Sequence, residues 1–481
     1  MKVIHPPAHK TKIVCTIGPS SGSPGILKRL IKTGMNVARL NLSHGTVAEH
    51  IKTLTLIRAE AARQNKTVSI MVDLPGPKMR IGIIKNAPLV LKKNDRVALV
   101  TAASSGDAAN IPVEYKALAS LVSRNSIIYL NDGFIQLKVL SVQPHRIVCR
   151  VMTGGSLLSH KGLNIPRVRS NASAVTPRDL EIAGKFLEYG ADIFSVSFVE
   201  DENDIHKIKR FVRSKGKDPV IIAKIERGEA VRHIDRILDA ADGIMVARGD
   251  LGVEIPIEQV PVVQKMLIQK ANRKNKVVIT ATQMLLSMTE HVRPTRAEVT
   301  DVANAILDGT DAVMLSEETA MGGYPVESVG MMAKIAVITE SKRYEFSCPP
   351  GTPFYGRPGE KKNEDIDDVV AHNVKHTIDA MDIKFVITNS GTGRASYSIS
   401  RLKPGCWILA VAFNKKMLHL LNLSYGIYPL FRTQTGRDAY RDILRKLSID
   451  KQIKRGDRIL FIEESVAKKR AYSSDMDIIT V

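Results

Sequence analysis

Cysteine is scarce in this sequence: 481 residues hold four, Cys15, Cys149, Cys348 and Cys406, far apart and without a CxxC pair. That spacing argues against a zinc ribbon or a disulfide scaffold and suits a reducing cytoplasm. Aromatic residues make up 5%, with a single tryptophan, which is poor material for a surface that stacks bases. Acidic residues are outnumbered, 49 Asp and Glu against 70 Lys and Arg, for a net charge of +21. Such an excess suits an anionic ligand: nucleotide, sugar phosphate, nucleic acid or an acidic surface. The basic residues are nevertheless scattered, as in Lys207, Lys209, Arg210, Arg213, Lys215 and Lys217, a pattern of solvated faces. A nucleic-acid-binding role would want basic and aromatic residues interleaved, and no such motif is present. No uncharged apolar run reaches the length of about 18 residues that a membrane helix requires. The first residues, Met1 to Pro7, lack the apolar core and cleavage site of a secretory signal. The last, Asp477 to Val481, carry no retention, peroxisomal or lipid signal. The expectation is a cytoplasmic protein with no membrane partner.

What is abundant is short apolar runs, each followed by a helix-like stretch. Eight precede the last third of the chain, at 12–17, 35–42, 68–74, 192–198, 220–225, 243–246, 276–280 and 311–315. They are rich in Val and Ile and lie near Gly, Asn or Asp, as buried parallel strands do. Helical periods fit between them at 260–272 and 293–307, the second with Pro294 near its start. Eight strand–helix units predict an α/β fold, a (β/α)8 TIM barrel. Between positions 74 and 192 a structureless loop would be implausible. The segments 89–92, 96–101, 126–130, 134–142 and 146–152 alternate instead, separated by turn signals such as Asn131-Asp132-Gly133 and Thr153-Gly154-Gly155. They predict an inserted β-rich lid domain on the barrel's C-terminal rim. After about residue 345 the texture changes to linker, with Cys348-Pro349-Pro350-Gly351 and the charged stretch 357–368. Runs at 385–388, 407–413, 426–431, 458–462 and 477–481 follow, which read as a C-terminal α/β domain. The expected division is 1–77 with 167–345 for the barrel, 78–166 for the lid and 346–481 for the last domain.

In this barrel class active sites form where the strands end, and polar residues gather there. Arg39, Asn41 and Ser43 lie on one face of an extended chain. Asp73 ends the third run, Lys224 and Glu226 share a face near the end of the fifth, and Asp250 follows the sixth. Thr282 follows the seventh, and Ser316, Glu317 and Glu318 follow the eighth. Each alone could be solvated or salt-bridged, but all converge on one rim. Glu226 and Asp250 offer two carboxylates from adjacent strands, and Mg²⁺ takes a few hard oxygens and shares its other positions with water and substrate phosphate. Lys224 beside them can neutralise charge on a moving phosphoryl group; a purely structural Lys–Glu pair is the plainer alternative. Gly249-Asp250-Leu251-Gly252 offers exposed N–H groups at a strand-to-helix turn, where carboxylates or phosphates bind. From these residues alone two other readings stay open. One is a different Mg²⁺-dependent barrel enzyme acting on a keto acid, and the other is a nucleic-acid binder.

Several longer stretches are recognisable. Ile221-Ile222-Ala223-Lys224-Ile225-Glu226 resembles the pyruvate kinase sequence around its active-site lysine. So do Cys15-Thr16-Ile17-Gly18-Pro19-Ser20, Arg39-Leu40-Asn41-Leu42-Ser43-His44-Gly45 and the stretch from Gly243 to Gly252. Ala281-Thr282-Gln283-Met284-Leu285, Arg293-Pro294-Thr295-Arg296-Ala297-Glu298 and Met314-Leu315-Ser316-Glu317-Glu318-Thr319-Ala320 look like further motifs of that family. The resemblance runs from about Thr11 to the C-terminus. It implies transfer of the phosphoryl group of phosphoenolpyruvate to ADP, giving ATP and pyruvate in the last step of glycolysis. It implies Lys224 at the transferring phosphoryl group, Mg²⁺ (or Mn²⁺) on Glu226 and Asp250, and Arg39 on phosphate. The Gly249 and Asp250 backbone with the Thr282 hydroxyl would hold the substrate carboxylate, and Thr282 and Ser316 would belong to the water network that protonates enolpyruvate. Thr16, Pro19, Asn41, Arg80 and Lys161 would surround the nucleotide, with Asp132 reaching in from the lid. Thr388-Asn389-Ser390-Gly391-Thr392-Gly393-Arg394 is similar to the family's effector loop and has the N–H groups, hydroxyls and Arg to take a phosphorylated effector. A homotetramer is what the family implies.

The sequence also departs from the family's usual pattern. Arg167 stands where Gly is usual, Ala172-Ser173 where Leu-Pro is usual, and Ser473-Ser474-Asp475-Met476 replaces the usual Gly-Thr-Asn turn. A further departure concerns the monovalent-cation pocket, implied at Asn41, Ser43, Asp73, Leu74 and position 78. K⁺-requiring members carry Glu at the place of Lys78, and tend to have Thr at the places of Leu74 and Ile81. The set resembles the K⁺-independent branch: a tethered ammonium supplies the charge that K⁺ would bring.

Overall fold

Eight short strands alternate between two environments, and that alternation builds the centre of the molecule. In the computed structural model, residues 3–101, 103, 105–107, 109–131, 133–166, 173–347, 366–389, 392–432, 437–467 and 471–481 are described. The strands are β1 (Lys12–Thr16), β2 (Val37–Asn41), β3 (Ser69–Leu74), β4 (Ile193–Val196), β5 (Val220–Ile225), β6 (Gly243–Ala247), β7 (Val277–Ala281) and β8 (Ala312–Leu315). All neighbours are parallel and the sheet closes in the order β1-β8-β7-β6-β5-β4-β3-β2. Because side chains alternate with period two, one set faces inward: Val14, Val37, Met71, Ile193, Ile222, Met245, Ile279 and Met314 fill the interior. The other set, including Ile13, Leu40, Leu74, Ile221 and Val313, packs against the surrounding helices.

Local chemistry sets the helix starts. Thr46, Thr176 and Thr295 each cap a helix, with Glu49, Asp179 and Glu298 returning the bond in capping boxes. The last of these moves the start expected at position 293: the helix is Arg296–Asp308, and Pro294 lies outside it because Thr295 takes the cap.

The segment between β3 and β4 forms its own core around Leu99, Ile128, Leu137, Ile147 and Val151. Its main sheet has six strands, in the order Leu163–Asn164, Ile127–Leu130, Ile135–Gln143, Arg146–Thr153, Arg96–Val100 and Asn110–Pro112. The turn at its tip reaches the barrel: a Cβ on Gly133 would lie 3.2 Å from Val253 Cγ2, and Gly133 has φ +89°. A side chain there would meet both a neighbour and a left-handed backbone.

The C-terminal sheet runs β9 (Ile383–Asn389), β10 (Trp407–Ala412), β11 (Ile427–Phe431), β12 (Arg458–Ala467) and β13 (Ala471–Thr480), in the spatial order β11-β10-β9-β12-β13. Only β13 is antiparallel to its neighbour, and it begins earlier than the run expected at 477–481. The helix Lys415–Leu423 closes the barrel's N-terminal end, placing Leu420 and Leu423 against its interior. Ile4, from the start of the chain, is buried in the C-terminal domain's core. No described helix is long and apolar enough to cross a membrane.

Candidate active site

The inward face that carries Val14, Val37, Met71 and Ile222 lower in the barrel becomes polar at the C-terminal ends. Thr16 pairs in register with Arg39, Asn41 with Asp73, and Asp73 with Ser195. Lys224 and Glu226 continue the same face on β5. Period two therefore delivers these side chains to one place, whatever their separation in sequence.

Their geometry is a chain of alternating charges. Arg39 donates to Asp73 Oδ2 from Nε at 2.9 Å and from Nη2 at 2.5 Å, and to Thr16 Oγ1 from Nη1 at 2.9 Å. Lys224 Nζ lies 3.3 Å from Asp73 Oδ2 and 2.9 Å from Glu226 Oε1, and donates to Ser197 Oγ at 2.8 Å. Ser195 Oγ donates to Asp73 Oδ1 at 2.9 Å, and the Phe198 N–H to Glu226 Oε2 at 2.7 Å. Arg39, Asp73, Lys224 and Glu226 are all buried. Burial by itself would raise the Asp73 carboxyl, but Lys224 and Arg39 together hold it below its usual range. Burial would lower the Lys224 ammonium; Asp73 and Glu226 reverse that and raise it. Glu226 ends raised, because burial and the Asp250 charge outweigh Lys224. Glu254, half-buried and also facing Asp250, is pushed up to about 7 in spite of Arg227.

The Asp250 charge bears on Glu226, and a divalent cation between the two would relieve that repulsion. The neighbouring carboxylates of Glu226 and Asp250, the second partly open to solvent, fit Mg²⁺, which completes its octahedron with water and phosphate oxygens. Among the described residues no group of three or more His, Cys, Asp or Glu is placed to hold a metal by itself.

The rim is completed by β6 and β7. The helix Arg248–Glu254 begins directly after β6. The Gly249 N–H donates to Thr282 Oγ1 at 2.9 Å, and that hydroxyl donates to Ala281 O at 2.6 Å. Thr282 and Gln283 have φ of +69° and +53°, a conformation that costs a β-branched residue on the order of 1–3 kcal/mol. Arg248 clamps the turn, donating to Ala281 O at 3.1 Å and Thr282 O at 2.7 Å while paired with Asp301 at 2.6 Å. Ser316 Oγ is buried with no hydrogen-bond partner among the described residues. Its backbone N–H is held by Glu318, which also takes the Leu285 N–H and is itself fully buried.

Not every residue singled out from the sequence joins this cluster. Lys78 reaches the rim, but its ammonium sits 3.0 Å from Asp250 Oδ1 rather than on Asn41, Ser43 or Asp73. Asn41 Oδ1 accepts from the Ser43 N–H at 3.3 Å. Leu74 points away from the rim into the layer between barrel and helices. Thr16 Oγ1 is committed to Arg39 and to Leu315 O. Pro19 is exposed in the turn after β1. Arg80 donates to His160 O at 2.9 Å and bridges Gly162, next to Lys161, where the lid joins the barrel. Asp132 lies outside the described residues, as do Arg167 and Ala172. In the effector-like loop, Ser390 and Gly391 are also outside them. Thr388 is buried against Ser396 at 2.8 Å, Asn389 is buried, Gly393 caps the next helix with φ +77°, and Arg394 pairs with Asp367. Ser195 and Ser197 were missed. Their signal was available: at the end of β4 they lie two residues apart, level with Asn41 and Ser43 at the end of β2.

Comparison with known proteins agrees with this geometry. The family model for the pyruvate kinase barrel domain matches residues 8–329, and that for the pyruvate kinase alpha/beta domain matches 368–479. A pyruvate kinase of Thermococcus litoralis is 47% identical over 475 residues, covering 99% of each chain. One from Geobacillus stearothermophilus is 42% identical over 422 residues, covering 87% of this chain and 71% of its own. The crystal structure of a pyruvate kinase from Cryptosporidium parvum superposes with a TM-score of 0.84 at 33% identity, covering 98% of this chain and 96% of its own. A buried Arg–Asp–Lys–Glu relay at the mouth of an eight-stranded barrel, matched over nearly the full length by such relatives, places this chain in the pyruvate kinase family.

Proposed function

We propose that this enzyme transfers the phosphoryl group of phosphoenolpyruvate to ADP, giving ATP and pyruvate, with Mg²⁺ (or Mn²⁺) on Glu226 and Asp250 and without a K⁺ requirement. The observation that carries the reading is Lys224, a buried ammonium held between Asp73 and Glu226 at the barrel mouth. It is fixed before substrate arrives, so it spends no reorganisation as charge builds on the transferring group. Arg39, anchored on Asp73 and Thr16, offers a second fixed cation for phosphate. A bound divalent cation supplies Lewis-acid charge to phosphate oxygens. The Thr282 hydroxyl and the Gly249–Asp250 backbone orient the substrate carboxylate, and Arg248 holds that turn in place. Ser316 Oγ, buried and unpartnered among the described residues, is available to a water that delivers a proton to enolpyruvate. Thr16, Pro19, Asn41, Arg80, Lys161 and Asp132 surround the nucleotide.

Lys78 supplies a positive charge to the same rim, here resting on Asp250; a tethered charge removes the need to recruit an ion. The same reading includes a cytoplasmic homotetramer running the last step of glycolysis, with the loop 388–394 taking a phosphorylated effector. The division into a barrel of 1–77 and 167–345, a lid of 78–166 and a last domain from 346 belongs to it as well. A lactate-dehydrogenase-coupled assay with phosphoenolpyruvate and ADP, with and without Mg²⁺ and K⁺, tests it. Pyruvate formation should need both substrates and Mg²⁺ but not K⁺. Turnover of a keto acid without ADP would point instead to a different barrel chemistry.

A further inference from the structure

At the opposite end of the barrel from the active site, the C-terminal domain leaves a cleft of about 660 Å³ where it meets the barrel. That volume lies within the range of small-molecule sites, which favour domain seams. None of the described residues of the loop 388–394 lines it.

The floor is built and rigid. Arg58 donates to Val68 O at 3.0 Å and Gly190 O at 2.8 Å and pairs with Asp192 at 2.5 Å. Asp192 in turn pairs with His419 of the C-terminal domain at 2.8 Å, and His419 bonds Ser69 at 2.9 Å. The walls carry more positive than negative charge: five Lys and Arg line the cleft against two Asp. Lys416 is neutralised by Asp218 at 3.0 Å and Asp242 at 3.3 Å. Lys217 and Lys415 are exposed and make no ion pair among the described residues. Lys415 and Lys416 also open the helix Lys415–Leu423, whose first turn holds no acidic residue. Two cations at a helix N-terminus oppose the helix dipole, an arrangement that an anion would relieve. Two aromatic rings face the same space half-exposed, Tyr189 at 51% and Phe431 at 50%. Rings left open beside unpaired cations match a ligand that has both a flat face and a phosphate.

We propose that this cleft is a binding site for a nucleoside phosphate, with its base against Tyr189 and Phe431 and its phosphate on Lys217 and Lys415. The test is isothermal titration of the full-length protein with AMP. EDTA is present so that metal-assisted nucleotide binding at the barrel mouth is suppressed. Saturable sub-millimolar binding is expected. It should weaken by about tenfold or more in the K217E/K415E variant, where repulsion replaces attraction, and also in Y189A/F431A. All four side chains lie far from the barrel mouth, so phosphoryl transfer at saturating substrates should be unchanged and serves as the control for folding. Ribose 5-phosphate and inorganic phosphate should bind more weakly than AMP. Absence of saturable AMP binding, equal affinity in K217E/K415E, or ribose 5-phosphate binding as tightly as AMP would each overturn the assignment.

Discussion

Replacing Lys224 by Met removes one ammonium and keeps most of the side-chain volume, which makes it the sharpest probe of the proposed chemistry. The Lys224 side chain is 10% exposed and touches two carboxylates and Ser197. One fixed charged donor at a transition state is commonly worth about 3–4 kcal/mol, roughly 10²–10³ in rate. Stability should fall as well, since stripping one partner from a buried pair costs about 3–5 kcal/mol. Two features soften that loss. Arg39 remains on Asp73, and Glu226, already raised, can take a proton. The sign of the pH dependence follows from Lys224 being raised above 10.5. Its stabilisation is fully present below that pH and is lost only as pH climbs through the still higher folded value. Wild type and K224M should therefore differ in melting temperature by a constant amount, as far as Lys224 contributes, from neutrality to mildly alkaline pH. The assay is steady-state pyruvate formation well below the variant's melting transition, with circular dichroism to show that it is folded. Turnover within a few-fold of wild type in a folded K224M would refute the role given to Lys224.

E226Q and D250N keep shape and lose charge; each should raise the Mg²⁺ concentration for half-maximal activity by at least about tenfold, and an unchanged requirement in both would put the metal elsewhere. Because Glu226 is raised above 4.5 by burial and by Asp250, Mg²⁺ affinity should begin to fall at pH values above the ordinary carboxylate range. Calorimetric Mg²⁺ titration in buffers of different ionisation enthalpy should then show proton release, most strongly on the acidic side of neutrality. The unmutated enzyme should run at nearly full rate with a bulky organic ammonium as the only monovalent cation, while K78E should become K⁺-dependent; a large K⁺ stimulation of the unmutated enzyme would refute the charge-replacement argument.

The barrel was legible because its strands are buried on both faces, so each appears as a compact Val/Ile-rich run whatever its neighbours are. The site was legible for a related reason. Arg39 with Asn41, and Lys224 with Glu226, sit two residues apart at strand ends, and period two forces them onto one face. The lid and the C-terminal sheet were legible as alternating runs, less so at their edges: β13 begins at Ala471, several residues before its apolar stretch. Local spacing therefore sets the elements and the side of each strand on which its polar residue falls. Who pairs with whom was decided only by the tertiary structure. Leu74 turns away from the rim while Asp73 turns in. Ser195 and Ser197 join the relay through strand β4, more than a lid's length along the chain from Asp73. Lys78 finds Asp250 rather than Asp73. These outcomes depend on strand register, on the burial that shifts the carboxyls and on how the lid returns to the barrel. Each is a long-range property that a one-dimensional pattern does not contain.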